Sequence, residues 1–423
     1  MPCNYLGWFK NNLDDKSKAM NPLDAKRIIL GVTGSIAAYK AAEIASKLTQ
    51  AGALVDVILT ESAERFITPL TFSSVTGRRS YTDASLWGGE GHVIHIGLAH
   101  ESDLVVIAPC SATTIARLAH GFGDNLLSVT TLAARCPLVI APAMDGGMFA
   151  HPATQANIKV LQERGVFILG PDSGHLASGQ TGVGRMTEPN EIIDFINFHF
   201  SRGNPLAGKK VVITAGGTQE PIDPVRRLTN RSSGKQGFAL AQAALNAGAD
   251  VVLITAPVTL PTPYGCQLVN VTTAEEMQQA VMEQTNHADV LIMAAAVADY
   301  TPEMISSNKI KKSHHELTLQ LKPTQDILLQ VVKQKQELGF PKFIIGFAAE
   351  TEDLIQNAQK KLESKKLDMI VANDVTAKDA GFGAETNRVT LLLADGRRQD
   401  LPIETKMGVA EKIVEHVISW LCV

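Results

Sequence analysis

The sequence predicts an α/β fold of two doubly wound parallel-sheet domains, and three observations predict it. Its 423 residues exceed what one ordinary core takes, so two domains, each able to bury most of its apolar surface, are the simplest division. From Lys26 onward, apolar runs of strand length alternate with segments of helical period, the βαβα pattern of parallel sheets. Around Arg202 to Gly208 that pattern breaks on Gly and Pro and then restarts, which sets domains over residues 26–204 and 205–423.

Residues 1–25 mix Asn, Asp and Lys without the apolar stretch of a signal peptide, and read as an N-terminal extension, with Met20 a second candidate start. Strands of the first domain are expected at Arg27 to Val32, Leu54 to Leu59, Leu104 to Ala108 and Leu138 to Ala141. In the second they are expected at Lys210 to Thr214, Val251 to Thr255, Val290 to Ala294, Phe343 to Phe347 and Val389 to Leu393. A last helix is expected over Lys406 to Leu421. Both domains open alike, with an apolar strand, a Thr/Gly turn, a helix, then Ala-Gly-Ala and another strand. Any two βαβ units share that much, so duplication does not follow.

Hydrophobic residues make up 45% and charged residues 19%, the profile of a soluble globular chain. A net charge of -4 with both signs mixed offers no broad basic face to nucleic acid or an anionic membrane, so small-molecule partners are expected. No apolar run reaches the roughly 18 residues that span a bilayer. Cys3, Cys110, Cys136, Cys266 and Cys422 form no C-x-x-C pair and no zinc-type cluster, which fits a reducing, cytoplasmic setting.

Three strand ends of the first domain carry candidate ligand loops. Gly31-Val32-Thr33-Gly34-Ser35-Ile36-Ala37 leads from strand to helix, where backbone N–H groups suit a phosphate, although a bare turn would look the same. Pro109-Cys110-Ser111-Ala112-Thr113-Thr114 and Ala141-Pro142-Ala143-Met144-Asp145-Gly146-Gly147-Met148-Phe149 lie at the next two strand ends, where open α/β sheets bind ligands. With His95-Ile96-Gly97-Leu98-Ala99, Asp124-Asn125-Leu126-Leu127, His151-Pro152-Ala153-Thr154 and Gly184-Arg185-Met186 in order, this half resembles the flavin-dependent cysteine decarboxylases acting on phosphopantothenoylcysteine.

The resemblance implies FMN, with its phosphate on Gly34, Ser35 and the Ser111, Ala112, Thr113, Thr114 loop, Ala143 nearby, and His95 in the catalytic position. In that family the thiol is oxidised, the carboxylate leaves as carbon dioxide, and a proton donor helps restore the saturated thiol. Two positions depart from the family pattern. Asp145 stands where the family carries Asn, and Ser178 stands where it carries the proton-donating Cys. A serine hydroxyl is a far weaker acid than a thiol of pKa about 8.5. An ionised Asp145 would also repel a substrate carboxylate by roughly 4 kcal/mol at 4 Å and an effective dielectric of 20. Asp145 itself and Cys110 are the candidate replacement acids.

The second domain opens on Thr214-Ala215-Gly216-Gly217-Thr218-Gln219-Glu220-Pro221-Ile222-Asp223-Pro224-Val225-Arg226, followed by Asn230-Arg231-Ser232-Ser233-Gly234-Lys235-Gln236-Gly237, a good anion cradle. Further on come Ala294-Ala295-Ala296-Val297-Ala298-Asp299-Tyr300, Lys309-Ile310-Lys311-Lys312, Thr324-Gln325-Asp326-Ile327, Gly346-Phe347-Ala348-Ala349-Glu350-Thr351 and Ala372-Asn373-Asp374. Together these resemble phosphopantothenate-cysteine ligase, and the whole chain from about Lys26 follows the order of the fused bacterial enzyme of coenzyme A biosynthesis. The expected architecture is thus a flavoprotein-type N-terminal domain and a Rossmann-like ligase C-terminal domain.

The resemblance implies an acyl-cytidylate made from phosphopantothenate and CTP, then displacement of CMP by the amine of cysteine. It assigns Lys309 to the first step and Asn230 to the second, and sets Asp299, Lys309, Thr324, Gln325, Asp326, Ile327, Phe347, Lys361 and Lys365 around the nucleotide. Polyanionic reactants call for Mg²⁺ and lysines, with the metal ligands unassigned. A homo-oligomer is expected from the family. Two other readings stay open, a ligase with a non-catalytic flavin module and a regulatory flavoprotein. A nicotinamide dehydrogenase is disfavoured, because G-x-G-x-x-G is missing.

Overall fold

The computed structural model describes residues 21–87, 93–177, 179–312, 317–350, 353–374 and 384–422. Most of the N-terminal extension, Ser178 and Thr351 lie outside them. The chain divides into two compact units, Asn21–Asn197 and a second from Phe198 onward.

In the first unit, β1 (Arg27–Val32), β2 (Leu54–Leu59), β3 (Ser80–Tyr81), β4 (Leu104–Cys110), β5 (Leu138–Pro142) and β6 (Phe167–Ile168) form one parallel sheet in the order β3-β2-β1-β4-β5-β6. Every residue of β4 is buried, so its sequence is a continuous apolar run without alternation. The helices that bear on the site are α1 (Ala38–Gln50), α2 (Ile94–Glu101), α3 (Ala112–His120), α4 (Leu126–Ala133) and the short α5 (Gly146–Ala150). An antiparallel hairpin of β7 (Asp172–His175) and β8 (Thr181–Arg185) follows, and α6 (Pro189–Ser201) ends this part of the chain. The strand order reverses between β1 and β4, and the crevice beyond that point is where open α/β sheets take ligands.

The second unit repeats that order. Its elements begin with β9 (Lys210–Ala215), β10 (Gln219–Pro221), β11 (Arg227–Thr229), α7 (Lys235–Asn246), β12 (Asp250–Thr255) and β13 (Gln267–Asn270). They continue through α8 (Ala274–Thr285), β14 (Val290–Met293), β15 (Tyr300–Pro302), β16 (Leu321–Pro323), α9 (Ile327–Leu338), β17 (Phe343–Glu350), α10 (Leu354–Ser364) and β18 (Met369–Asp374). A pair formed by β19 (Thr386–Asn387) and β22 (Glu404–Thr405) brackets β20 (Val389–Leu393) and β21 (Arg398–Asp400), and α11 (Lys406–Leu421) closes the unit. The main sheet runs β13-β12-β9-β14-β17-β18-β20-β21, with the switch point between β9 and β14.

In this sheet β13, β12, β9, β14, β17 and β18 are parallel, whereas β20 and β21 run antiparallel at the edge, a departure from the purely parallel expectation. For β21 the reason is local: a parallel neighbour needs a crossover of a dozen or more residues, but the turn at Gly396, with φ +86°, folds β21 straight back on β20. Val211 and Ile213 of β9 face one core cluster while Val212 faces another, so this sheet is covered on both sides. Gly237 lets α7 lie against β9, since a Cβ there would come 2.5 Å from that of Ala215.

Candidate functional site

The crevice of the first unit opens into a cavity of about 740 Å³. Its lining includes the turn Gly34 to Ala37 after β1, the loop Ser111 to Thr114 after β4, and Ala143, Met144 and Asp145 after β5. Ser111 caps α3 by accepting from Thr114 N–H at 3.3 Å, while its own N–H donates to Thr33 Oγ1 at 2.9 Å. That leaves the N–H groups of Ala112 and Thr113 in the first turn of α3, which the helix cannot satisfy itself, at the cavity wall, an arrangement suited to an anion. Gly34 is required by packing. A Cβ there would lie 2.5 Å from that of Ser62, so the turn closes on the β2 side as well. Gly184 has a similar duty, because a Cβ would fall 2.2 Å from the oxygen of Met144, and this close approach docks the β7–β8 hairpin at the cavity.

Asp145 lines the cavity as the cap of α5, with Oδ1 accepting from Gly147 N–H at 2.9 Å. Ser178 falls outside the described residues, although its neighbours Leu176 and Ala177 line the cavity. His95, half-buried in α2, does not line it. Cys110 is fully buried in β4, within the core cluster, and burial pushes its thiol well above the usual range. It is a core residue, and its candidacy as an acid ends there. Residues that sequence reasoning missed are Lys40, Arg117, His175 and Arg185, all in the lining. Lys40 pairs with Glu188 at 2.8 Å and holds that carboxyl below the usual range, and Arg185 also bonds Glu188. Arg185 was present in the quoted motif Gly184-Arg185-Met186, but nothing in its spacing marked it.

The crevice of the second unit holds a cavity of about 540 Å³. Asn230, Asp299, Thr324, Gln325, Asp326, Ile327, Phe347, Lys361 and Lys365 all line it, beside Arg231 to Gly237 and Met293 to Val297. The Asn230 amide donates to the carbonyl oxygen of Val297 at 3.0 Å, which ties the end of β11 to the loop after β14. Thr324 N–H donates to the Asp299 oxygen at 2.9 Å, and Thr324 Oγ1 donates to the Ala298 oxygen at 2.6 Å. Asp326 caps α9 through Leu329 N–H and pairs with Lys365 at 2.8 Å.

Lys309 is exposed and does not line this cavity. Two unexpected lysines do. Lys235 and Lys406 occupy the first positions of α7 and α11, where a cation opposes the helix dipole. Lys406 is buried, and desolvation, then the neighbouring Lys235, lowers its pKa. Gln236 joins the two helix starts by donating to the Lys406 oxygen at 3.0 Å. Among the described residues no cluster of three or more His, Cys, Asp or Glu could hold a metal, and no helix is long and apolar enough to cross a membrane.

The family described as Flavoprotein matches residues 16–201, and the DNA/pantothenate metabolism flavoprotein C-terminal domain matches residues 206–421. The Coenzyme A biosynthesis bifunctional protein CoaBC of Bacillus subtilis is 46% identical over 94% of this chain and 98% of its own length. The chain belongs to the CoaBC family. The CoaBC of Escherichia coli is 41% identical over the same 94% of this chain and 98% of its own. A solved C-terminal domain of a CoaBC protein is 39% identical, covering 52% of this chain and 98% of that one, with a TM-score of 0.44. As a CoaBC-family protein the chain is a bifunctional enzyme of coenzyme A biosynthesis, with decarboxylase and ligase roles.

Proposed function

We propose that the chain ligates 4′-phosphopantothenate to cysteine with CTP and decarboxylates the phosphopantothenoylcysteine formed, on FMN, to 4′-phosphopantetheine. One observation carries the ligase half. Every residue expected at the nucleotide except Lys309 lines one cavity, together with Asn230. Arg231, Lys235, Lys361, Lys365 and Lys406 make that lining cationic, which suits two polyanionic reactants. The pantothenate carboxylate would attack the α-phosphorus, with pyrophosphate leaving. The amine of cysteine would then attack the acyl carbon and release CMP. Mg²⁺ would enter with the nucleotide, held mainly by phosphates and water, in keeping with a lining whose carboxylates include Asp299 and Asp326.

The first cavity fits FMN on its donor set, since the Ala112 and Thr113 N–H groups and the Gly34 to Ala37 turn together suit a phosphate. FMN bound there would supply the two-electron chemistry that loosens the substrate carboxylate. Lys40, Arg117 and Arg185 would balance the anionic charge of cofactor and substrate. Asp145 would cap α5 and so shape the wall below the substrate. His95 lies outside the cavity of its own chain and would meet a site only in the homo-oligomer expected of this cytoplasmic enzyme.

Two variants test the division of roles. Lys309→Gln should suppress pyrophosphate release from CTP and phosphopantothenate. Asn230→Asp should leave that release measurable and slow the cysteine-dependent step. Equal loss of the first step in both variants would refute the assignment, and no pyrophosphate from the unaltered protein would refute the ligase reading.

A further inference from the structure

The segment that carries Lys309 is fastened at the next residue. Ile310 N–H donates to Oδ2 of Asp223 at 3.1 Å, and the Ile310 carbonyl oxygen accepts from Nη2 of Arg226 at 2.7 Å. Arg226 and Asp223 are bound to one another, with Nε and Nη2 donating to Oδ2 at 3.0 and 2.6 Å. The other oxygen, Oδ1, accepts from the main-chain N–H groups of Val225 and Arg226, each at 2.8 Å. A further link lies four residues upstream of Ile310, where Ser306 N–H donates to the Ile222 oxygen at 3.1 Å.

Asp223 is only 3% exposed. Burying a carboxylate costs free energy unless its oxygens are paired, and here every partner is supplied. Oδ1 alone would make the turn between β10 and β11. Oδ2 reaches instead across 87 residues of sequence to the Lys309 segment. Asn230 follows directly on β11, the second strand of the same hairpin. The lysine assigned to the first half-reaction and the asparagine assigned to the second therefore hang on one two-stranded support.

We propose that Asp223 is a positioning residue of the ligase, whose Oδ2 fixes the main chain at Ile310 and so holds Lys309 in register with Asn230. The proposal rests on the ligase reading given above. It separates what the turn needs from what the reaction needs, because the two oxygens have different partners.

Asp223→Asn in the full-length protein uses that separation. The amide oxygen can keep the two turn N–H groups, while the NH₂ that replaces Oδ2 cannot accept from Ile310 and faces the Arg226 guanidinium. Trypsin should then cut after Lys309, Lys311 or Lys312 about ten-fold faster, with the melting temperature little changed. Pyrophosphate release should fall about ten-fold or more, with flavin content unaltered. In a Lys309→Gln background, Asp223→Asn should cause no further loss, because its effect passes through that lysine. Should Asp223→Asn fail to fold, Ile310→Pro removes the same N–H and leaves the Asp223–Arg226 pair, and the same fall in pyrophosphate release is expected, with faster cutting after Lys311 or Lys312 only, because trypsin does not cleave a Lys–Pro bond. Unchanged proteolysis and unchanged pyrophosphate release would overturn the proposal, and so would an additive loss in the Lys309→Gln background. Absence of pyrophosphate release from the unaltered protein would remove the ligase reading and this role with it, even if trypsin still detected the tether.

Discussion

Lys361 Nζ donates to the carbonyl oxygen of Phe347 at 2.9 Å, fixing α10 to β17. Four residues on, Lys365 holds Asp326 at the cap of α9 at 2.8 Å. Lys361 in the last turn of α10 and Lys365 at its C-cap are four residues apart, and both line the ligase cavity. Two cations are thus set before any nucleotide arrives, which is how a site stabilises developing charge without reorganising.

Lys361→Gln is expected to raise KM for CTP about ten-fold, the loss of one charge-assisted contact, while leaving the decarboxylation of supplied phosphopantothenoylcysteine unchanged. Initial rates against CTP concentration check this. Equal losses in both activities would instead point to a general loss of folding.

Gly34→Ala should lower the flavin content of the purified protein, because the new Cβ would sit 2.5 Å from that of Ser62. Adding Ser62→Gly should restore flavin in that variant by removing the obstacle. Gly34→Asp should stay colourless with or without Ser62→Gly, because its carboxylate would also oppose the phosphate. Absorbance near the flavin bands of the four proteins decides the point.

Much of the sheet was legible because its strands are buried on both faces. The runs Arg27–Val32, Leu54–Leu59 and Val389–Leu393 and the helix Lys406–Leu421 fall where apolar period and turn residues put them. The antiparallel return of β21 was not legible, since one turn at Gly396 decides its direction. The motifs carried Asn230, Asp299 and Phe347 to the cavity they line, but could not tell that Lys309 lies outside it, next to an Ile310 whose N–H is bound by a carboxylate far away in sequence. Lys406 went unread for a similar reason. It meets the start of α7 through Gln236, across 170 residues, and no local pattern encodes that meeting.

Lys406→Met should raise the melting temperature of the nucleotide-free protein and raise KM for CTP, trading stability against binding. Burial lowers the Lys406 pKa, so the folded state resists a proton that the unfolded chain keeps up to about 10.4. The penalty is complete below the folded pKa and is relieved as pH rises through it. The stability gap between variant and unaltered protein should therefore narrow at alkaline pH. A gap that widened on raising the pH would contradict this.

The most direct measurement is the identity of the product from phosphopantothenate, cysteine and CTP with Mg²⁺ and the flavin-loaded protein. Two functional cavities should give 4′-phosphopantetheine, with pyrophosphate, CMP and carbon dioxide released in equal amounts. Phosphopantothenoylcysteine accumulating without carbon dioxide would contradict the bifunctional account and leave a ligase joined to a flavin-binding unit that does no chemistry.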